Sequence, residues 1–474
     1  MNPSAADEVV WARTTRWIDD GRSAWLLSLM TWTLVILMIV PDGFNYGDLS
    51  AAAGPASGGA ISRMLWLLLL AAGLLVTITR SALAFLLMRW LNPFLLAFAV
   101  LAAMSMVWSY DPAVTVRRMT RVATILIDAC AFVLMAWHPR RFQTVLRPIL
   151  TIMLAGSIAF GLAFPLLAIH QESSAELVGA WRGLTNHKNS LGALSCITLI
   201  LWFHALLSQQ VRSIPGIAGI VLAATCLVLA RSSTSLVTAG FVCCFLIMFM
   251  RMPSSWRRFA PFLITVFVVL LLTYSLAILR LVPGLDLLLT PITAITGKDL
   301  TFTGRSEIWA IVIEHANLHP WLGSGFGAYW TGPIAGTPAF DFVLRMHFYP
   351  GSAHNGYLEI MNDLGIAGLL CLFGYLIAYV LQSLQLLRVD RSQGVLFLAL
   401  FLQQGITNLS ETHWLSVMSV DFVIMTLATA SLARALLEQR LRAYFGRPVA
   451  RHLTTLQNPP LVRAESRGDF DAAR

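Results

Sequence analysis

Five basic residues lie in polar loops beside the ends of long apolar segments: Arg182, Lys188, Arg231, Arg305 and His354. Arginine binds phosphate oxygens through two parallel N–H donors and does not lose its charge. Histidine titrates near neutral pH, so His354 is the best candidate for a general base. These residue types predict a cationic pocket for a diphosphate beside one base. The alternative is that each arginine reaches toward lipid headgroups without a specific ligand.

The densest polar run of the sequence ends where a long apolar segment starts, and it contains Arg182, Asn186, His187, Lys188 and Asn189. We expect Asn189 or Ser190 to cap the following helix, which leaves backbone N–H groups pointing into the loop. Helix N-termini bind anions. Arg182 and Lys188 are therefore candidate diphosphate ligands, and Asn186, His187 and Asn189 are candidates for positioning the substrate. An ordinary capped loop is the alternative interpretation.

The longest polar stretch, residues 283–355, contains two motifs. The run Thr303-Gly304-Arg305-Ser306-Glu307-Ile308-Trp309 predicts a short amphipathic helix over 305–316, with Thr303 as its N-cap. This helix must end before Pro320. Glycines alternate in the following run, which indicates tight backbone geometry or the close approach of a ligand; they are Gly323, Gly325 and Gly327.

Polar side chains continue into the apolar segment that follows His354. One face of the predicted helix carries Asn355, Glu359, Asn362 and Asp363. Polar groups at membrane depth usually face the interior of a helix bundle and mark a functional path. Glu359 is therefore a further candidate for positioning the substrate.

Other ionisable and sulfur-containing residues lie within apolar segments. Asp128 and Asp421 could couple ion movement to transport, or each could pair with a neighbouring polar group. We expect that each pairs with a neighbouring polar group. The six cysteines form no C-x-x-C pair, so we expect free thiols and no metal site.

The composition indicates that the elements positioning these residues cross a membrane. Of 474 residues, 57% are hydrophobic and 12% are charged, and the mean hydropathy is +0.72. A soluble domain has about 25% charged residues, so a soluble enzyme and a disordered chain are excluded. Continuous apolar stretches also argue against a β-barrel. We predict an all-α polytopic integral membrane protein of about 12 transmembrane helices, at 24–41, 61–79, 91–109, 119–137, 146–168, 190–208, 214–230, 235–250, 260–282, 356–384, 394–410 and 415–435.

The distribution of arginine predicts the orientation in the membrane. Cytoplasmic loops collect lysine and arginine, which explains the net charge of +9 without nucleic acid. Twelve spans place both termini in the cytoplasm and residues 283–355 in one large outer loop. The predicted organisation is a cytoplasmic segment over 1–23, a transmembrane catalytic domain over 24–435 and a cytoplasmic, disordered tail over 436–474. The polar start of the chain favours an anchor helix over a removed signal peptide.

Four segments, in this order, are similar to segments of the O-antigen ligase and Wzy-type polymerase superfamily. Residues 105–112 have the sequence S-M-V-W-S-Y-D-P, and residues 182–189 resemble the exopolysaccharide-polymerase branch. Residues 303–325 resemble the core of the family's large loop. His354, followed by ten residues and Gly365, resembles its loop-end motif.

The resemblance implies a metal-independent, GT-C-like glycosyltransferase without a cofactor, at the outer face of a bacterial inner membrane. Its donor is a glycan on a polyprenyl diphosphate carrier. By position, Arg182 and Arg305 would hold the diphosphate, and His354 would activate or orient the acceptor hydroxyl. Arg231 corresponds less directly, because the family often has Ser-Arg where this chain has Arg-Ser-Ser-Thr. The implied partners are the donor, a glycan or lipid A core acceptor, membrane lipids, a chain-length regulator and a flippase.

Three activities stay open on the sequence alone. A polymerase joining lipid-linked repeat units is favoured by residues 186–189 and 321–325. A ligase that transfers the glycan to lipid A core uses the same donor. A lipid-linked glycan flippase or transporter is suggested by Asp128, Glu359 and Asp363, but it predicts inverted repeats or paired half-helices, and we find no internal repeat.

Overall fold

The computed structural model describes residues 21–39, 60–135, 137–171, 177–251, 253, 255, 259–278, 305–417 and 419–445. This part of the chain is almost entirely helical, with one isolated bridge between Ile169 and Trp181. The helices are α1 (Gly21–Ile39), α2 (Ala60–Thr79), α3 (Ser81–Met88), α4 (Pro93–Met104), α5 (Pro112–Met135), α6 (Arg141–Ala163), α7 (Pro165–Ala168), α8 (Lys188–Leu207), α9 (Ser213–Leu229), α10 (Ser233–Arg251), α11 (Ala260–Ile278), α12 (Arg305–Ala316), α13 (Phe340–Met346), α14 (Gly356–Leu387), α15 (Arg391–Thr407) and α16 (Val420–Phe445).

Each of the twelve predicted apolar segments overlaps one of these helices. By length and composition, six described helices could cross a membrane; they are Ile61–Thr79, Arg141–Ala163, Lys188–Leu207, Ser233–Arg251, Gly356–Leu387 and Val420–Leu441. Helices α3 and α4, with the 3₁₀ turn Ser105–Val107, are bent by 99° and would add a seventh span if they form one broken crossing. The fold is that of a polytopic helical membrane protein, and the count of twelve spans stays a prediction.

Burial separates central from peripheral helices. The apolar window of α16 is 94% buried inside the protein and that of α8 is 67% buried, whereas that of α2 is only 28% buried. A helix that is apolar all round but mostly exposed suits contact with lipid rather than water. Almost every residue of α15 is also buried, and the apolar window of α14 is 50% buried. Helices α8, α14, α15 and α16 therefore form the centre of the described bundle, and their ends position the candidate site residues.

Helix α14 is broken, which the sequence did not predict. Gly365 has φ 65° and ψ −159°, so the predicted continuous span 356–384 contains a kink. The glycine-rich part of the large loop packs into this break: Ile366 N–H donates to Pro320 O at 2.8 Å, and Gly325 N–H donates to Asp363 O at 2.9 Å. A Cβ atom on Gly365 would collide with the backbone of Trp321. Of the two alternatives predicted from the alternating glycines, tight backbone geometry is the one found here, with the backbone of α14 as the neighbour.

Several local predictions can be compared with the structure. The short helix over 305–316 is confirmed as α12. The predicted cap of α8 was wrong: the N-cap is His187, not Asn189 or Ser190, because its imidazole nitrogen accepts the Asn189 N–H at 3.2 Å. All six cysteines are free thiols, as expected.

The two carboxylates within the bundle differ from each other. The Asp421 carboxylate accepts hydrogen bonds from Gln404 Nε2 at 2.5 Å and Gln403 Nε2 at 3.3 Å, as predicted. The expectation of a polar partner for Asp128 was wrong: neither of its buried carboxyl oxygens has a hydrogen-bond partner among the described residues. Asp128 faces Gly73 on α2, where a side chain would collide with it.

Residues 1–20, 40–59, 279–304 and 446–474 lie outside the described residues. Parts of the predicted N-terminal segment, large loop and tail fall there, as does the predicted cap Thr303. The domain boundaries therefore stay predictions.

Candidate functional site

Three residues from distant parts of the chain meet at the carboxylate of Glu411. Arg305 Nη2 donates to Glu411 Oε1 at 2.6 Å, and Asn189 Nδ2 donates to the same oxygen at 2.6 Å. The other oxygen, Oε2, lies 3.4 Å from His354 Nδ1. These partners are 106, 222 and 57 residues away from Glu411 in sequence. The fold thus joins Arg305 and His354, two of the predicted site residues, through the carboxylate of Glu411.

The local backbone fixes His354 in an uncommon conformation. His354 has φ 47°, and left-handed backbone is rare for residues other than glycine. Asn355 follows it as the N-cap of α14, and its side-chain oxygen accepts the N–H groups of Tyr357 and Leu358 at 3.0 Å each. Such strain persists only where the surroundings fix it, and it concentrates at functional sites.

Glu411 is a buried anion among cations. Burial disfavours its charge, but the hydrogen bond with His354 and the charges of Arg305 and His354 outweigh burial and lower the pKa of Glu411 to about 2. The carboxylate is therefore ionised throughout the neutral pH range. Because Nδ1 of His354 faces this anion, Nε2 is the ring nitrogen left to accept a proton.

Arg182 is buried at the other side of the α8 start. Its Nε donates to Leu167 O at 2.7 Å, and its own carbonyl accepts the Thr185 hydroxyl at 2.7 Å. Thr185 Oγ1 also bonds the carbonyl of His187 at 3.0 Å, which connects Arg182 to the first turn of α8. A buried guanidinium that donates to a backbone carbonyl has a restricted orientation.

The remaining polar residues of this segment surround the same helix start. Burial, together with the charges of His170, His354 and Lys188, outweighs that of Glu411 and lowers the pKa of His187 to about 4. His187 is therefore neutral at neutral pH and can accept the capping hydrogen bond. Lys188 N–H donates to His170 Nε2 at 3.1 Å. The side-chain oxygen of the exposed Asn186 accepts the Ser190 hydroxyl at 3.2 Å.

Arg231 occupies an exposed turn between α9 and α10. Its φ is 49°, so it shares with His354 the left-handed conformation, which five non-glycine residues of the described chain adopt. Arg231 Nη1 donates to Val178 O at 3.1 Å. Three residues further, Thr234 Oγ1 accepts the Ser410 hydroxyl at 3.1 Å, which places this turn beside the Glu411 segment.

The structure thus brings some of the predicted residues together and leaves others apart. Arg305, His354 and Asn189 share one carboxylate, and His187 lies close enough for its charge state to respond to Glu411. Arg182 and Arg231 have backbone partners of their own. Glu359 has a backbone partner as well: its Oε2 accepts the Ala353 N–H at 2.8 Å.

Sequence analysis missed two residues of the site, Glu411 and His170. Glu411 lies between the predicted spans 394–410 and 415–435, in four residues that we expected to form an outer loop. The available signal was an acidic residue in a short predicted loop, on the predicted side of the membrane that also carries Arg182, Arg231 and Arg305. His170 is buried and bonded to the Lys188 backbone, and its isolated position in the sequence gave no signal.

Parts of this chain are similar to known proteins. Residues 218–373 match the O-antigen ligase (Wzy_C) family. This range includes Arg231, Arg305 and His354, whereas Arg182 and Glu411 lie outside it. The chain is also 28% identical over 307 residues to the exopolysaccharide production protein ExoQ of Rhizobium meliloti (strain 1021), across 62% of this chain and 66% of that protein. The chain thus spans just under two thirds of the length of that relative.

These two findings confirm the predicted resemblance to the O-antigen ligase and Wzy-type polymerase superfamily, near its exopolysaccharide branch.

Proposed function

We propose that this protein is a membrane glycosyltransferase that polymerises polyprenyl-diphosphate-linked oligosaccharide units into exopolysaccharide or O-antigen. The observation that carries the proposal is the meeting of Arg305, His354 and Asn189 at Glu411, because it combines a cation for a leaving phosphate with an oriented base. The similarity to an exopolysaccharide production protein favours polymerisation.

The proposed reaction needs one base and one cationic site. The hydroxyl oxygen of the acceptor sugar attacks the anomeric carbon of the donor, and the bond from that carbon to the diphosphate breaks. The hydroxyl proton passes to His354 Nε2, and the electron pair of the broken bond leaves with the diphosphate. Glu411 orients the imidazole through Nδ1 and stabilises the imidazolium that forms, as the carboxylate does in a hydrolase triad.

Arg305 is the proposed ligand of the leaving diphosphate. Its bond to Glu411 uses one N–H group, and a guanidinium has five. Its side chain is 19% exposed, so the other donors have access to a ligand. Charge that develops on a leaving oxygen is stabilised most by donors already held in place. We expect Arg182, Arg231 and Lys188 to bind the remaining phosphate and carrier groups, and Asn186, His187, Asn189 and Glu359 to position the sugars.

The location proposed for this reaction is the outer face of a bacterial inner membrane, with both chain termini in the cytoplasm. Six described helices apolar enough to span a membrane support the membrane location. The arginine distribution supports the cytoplasmic position of the termini. A donor that arrives already activated on its lipid carrier needs no nucleotide. The proposed protein partners are a chain-length regulator and a flippase.

The second candidate is an O-antigen ligase, favoured by the family match over residues 218–373. It uses the same donor and differs in the acceptor, which is lipid A core. The break of α14 at Gly365 is the observation that favours the third candidate, a flippase, since transporters use discontinuous helices. A single broken helix filled by a backbone loop is weaker support than a site built for group transfer.

Purified protein with a lipid-linked oligosaccharide separates the three activities. The polymerase lengthens the chains and releases lipid diphosphate. The ligase releases lipid diphosphate only when lipid A core is supplied, and the glycan is then attached to the core without becoming longer. Arg305→Ala abolishes transfer, because the leaving group loses its cation. Arg345→Ala is the matched control, since Arg345 lies on the same loop in an exposed ion pair with Glu314. Movement of the oligosaccharide across vesicles without a new glycosidic bond would instead support the flippase.

A further inference from the structure

Arginines also line a cavity at the end of the bundle opposite to Glu411. Helix α14 begins beside His354 and ends at Leu387, after 32 residues. A straight helix of that length extends about 48 Å, whereas the hydrocarbon core of a bilayer is about 30 Å thick. Helix α16 runs beside α14, from the Glu411 segment to Phe445. The far ends of both helices therefore lie at the other membrane boundary, which the arginine distribution predicts to be cytoplasmic.

The cavity lies between these two helix ends and the turn that joins α3 to α4, and its volume is about 280 Å³. Small-molecule sites range upward from about 300 Å³, so this space suits a group of the size of a lipid headgroup. Its wall combines guanidinium groups, side-chain amides and apolar surface. The residues that provide them are Arg388, Arg440, Gln385, Gln439, Trp90 and Leu436. The cavity thus offers N–H donors beside an apolar wall.

Hydrogen bonds hold the three elements around this cavity together. Gln382 Nε2 donates to Trp90 O at 3.2 Å, which ties the turn to α14. Asn92 Nδ2 donates to Tyr375 O at 2.9 Å and adds a second link between them. The hydroxyl oxygens of Tyr375 and Thr429 lie 2.8 Å apart and connect α14 to α16. The cavity is therefore formed by elements already in place, and a ligand does not have to order them.

The two arginines of this cavity carry charge that the described residues do not neutralise. Arg440 Cζ lies 5.6 Å from the centroid of the Trp90 ring, a cation–π contact that leaves the guanidinium charged. Arg388 follows the last turn of α14 and is exposed, as is Arg440. In the part of the chain that the structure describes, neither arginine forms an ion pair. The cavity is consequently cationic.

The acidic residues closest to these arginines in sequence have other partners. Glu438 forms an ion pair with Arg434 inside α16, and both side chains are buried. The side chain of Asp390 caps α15 by accepting the Gln393 N–H at 3.1 Å. Two positive charges therefore remain for a ligand that carries negative charge.

We propose that this cavity binds the phosphate group of an anionic phospholipid of the surrounding membrane. Arginine matches phosphate oxygens with paired N–H donors, and basic pockets between helices on the cytoplasmic side suit anionic headgroups. Tryptophan favours the same depth, because its ring is apolar and its N–H is polar. The phosphate contacts Arg388 and Arg440, and the acyl chains extend along Leu436 and Trp90. Bound lipid joins the ends of α14 and α16, and this role does not depend on the proposed transfer reaction.

Thermal unfolding of the full chain in a neutral detergent tests this site. Phosphatidylglycerol, phosphatidylcholine and inorganic phosphate are titrated separately, since a ligand that binds only the folded state raises the unfolding temperature with its concentration. Phosphatidylglycerol should give the largest shift. In Arg388→Gln with Arg440→Gln, the phosphatidylglycerol concentration needed for half of this shift should rise roughly 10- to 30-fold, the combined effect of two arginines. Native mass spectrometry of the same samples should show less retained phosphatidylglycerol on the variant.

The matched control removes two other arginines from the same end of the bundle. Arg140 precedes α6 and Arg212 follows the end of α8; both are exposed and neither lines the cavity. Arg140→Gln with Arg212→Gln changes the net charge by the same amount, and its half-shift concentration should stay within about twofold of wild type, since scattered surface charges contribute little. The single variants Arg388→Gln and Arg440→Gln should each show an intermediate rise, and they provide the test if the double variant does not fold.

Each result decides for or against this site. A phosphatidylglycerol shift that is lost in the cavity variant and kept in the control variant supports it. Equal shifts with phosphatidylglycerol and phosphatidylcholine would mean that no anionic headgroup is recognised. An equal shift with inorganic phosphate would assign the cavity to a free phosphate ion rather than a lipid. Equal losses in the cavity and control variants would reduce the effect to net charge, and each of these last three results would overturn the proposal.

Discussion

Arg305 donates a hydrogen bond to a different kind of acceptor than Arg182 and Arg231 do, although all three lie at the same end of the bundle. Arg305 donates to the Glu411 carboxylate, which also contacts His354. Arg182 and Arg231 each donate to a backbone carbonyl oxygen. A carboxylate shared with a histidine couples the arginine to the charge state of the ring, whereas a hydrogen bond to a backbone carbonyl oxygen orients an arginine without adding a charge.

This difference predicts that the two regions contribute to different steps of the proposed reaction. The region around Glu411 couples an arginine to a base, so it suits the step in which a bond breaks and a proton moves. The region around Arg182 and Arg231 offers oriented cations next to the start of α8, which suits binding of an anion before that step. Changes in the first region should act on kcat, and changes in the second should act on the donor KM.

The largest expected effect comes from Glu411→Gln. The substitution keeps the size of the side chain but removes the charge that orients and stabilises a protonated His354, and we expect kcat to fall on the order of 100- to 10,000-fold. The donor KM changes little. The control is Glu314→Gln, an exposed carboxylate that also pairs with an arginine. Wild-type kcat in Glu411→Gln would remove the contrast between the two regions.

Arg182→Ala and Arg231→Ala should act on binding. Loss of a phosphate ligand raises the donor KM by roughly tenfold, with kcat within about threefold of wild type. The effect should be larger for Arg182, which is 5% exposed, than for the exposed Arg231. Inorganic pyrophosphate as a competing ligand should inhibit both variants less than wild type. A fall in kcat equal to that of Glu411→Gln would show that the regions act as one.

The sequence predicted much of this arrangement, and the limit has a physical cause. Helix α12 was predicted correctly because an apolar face and the nearby Pro320 act locally. His354 and Arg305 were recognised by residue type and by their place beside apolar segments. Their common partner was not, since Glu411 reaches them across 57 and 106 residues. Hydrophobic periodicity carries no information about contacts at that separation.

The break in α14 was missed for a related reason. Gly365 stands in an apolar run that satisfies every requirement of a continuous span, and a lone glycine there is tolerated. The kink depends on residues 320–325, whose backbone packs against positions 363–367 and requires the bend. The same tertiary contact explains why the loop glycines approach protein backbone, which their spacing alone could not distinguish from a ligand.

The charge of Glu411 also predicts how stability depends on pH. Its pKa in the folded protein is about 2, below the ordinary value of 4.5. The ionised group therefore contributes stability that is complete above about pH 4.5 and is lost as the pH falls toward 2. The apparent unfolding temperature in detergent should fall more steeply over this range for wild type than for Glu411→Gln. Parallel curves for the two proteins would contradict the charge coupling at this site.

The smallest effect is expected for substitutions of His187, which lies between the two regions. They distinguish a structural role of this residue from a role in positioning the substrate. Its imidazole caps α8 as a neutral acceptor. His187→Ala should lower the free energy of unfolding by about 1 kcal/mol, the usual contribution of an N-cap, and His187→Asn should restore it. If His187 only caps the helix, transfer kinetics of the asparagine variant equal those of wild type. If the ring also positions a sugar, His187→Asn recovers stability but keeps a raised acceptor KM, and comparing thermal unfolding with kinetics on the same preparation distinguishes the two roles.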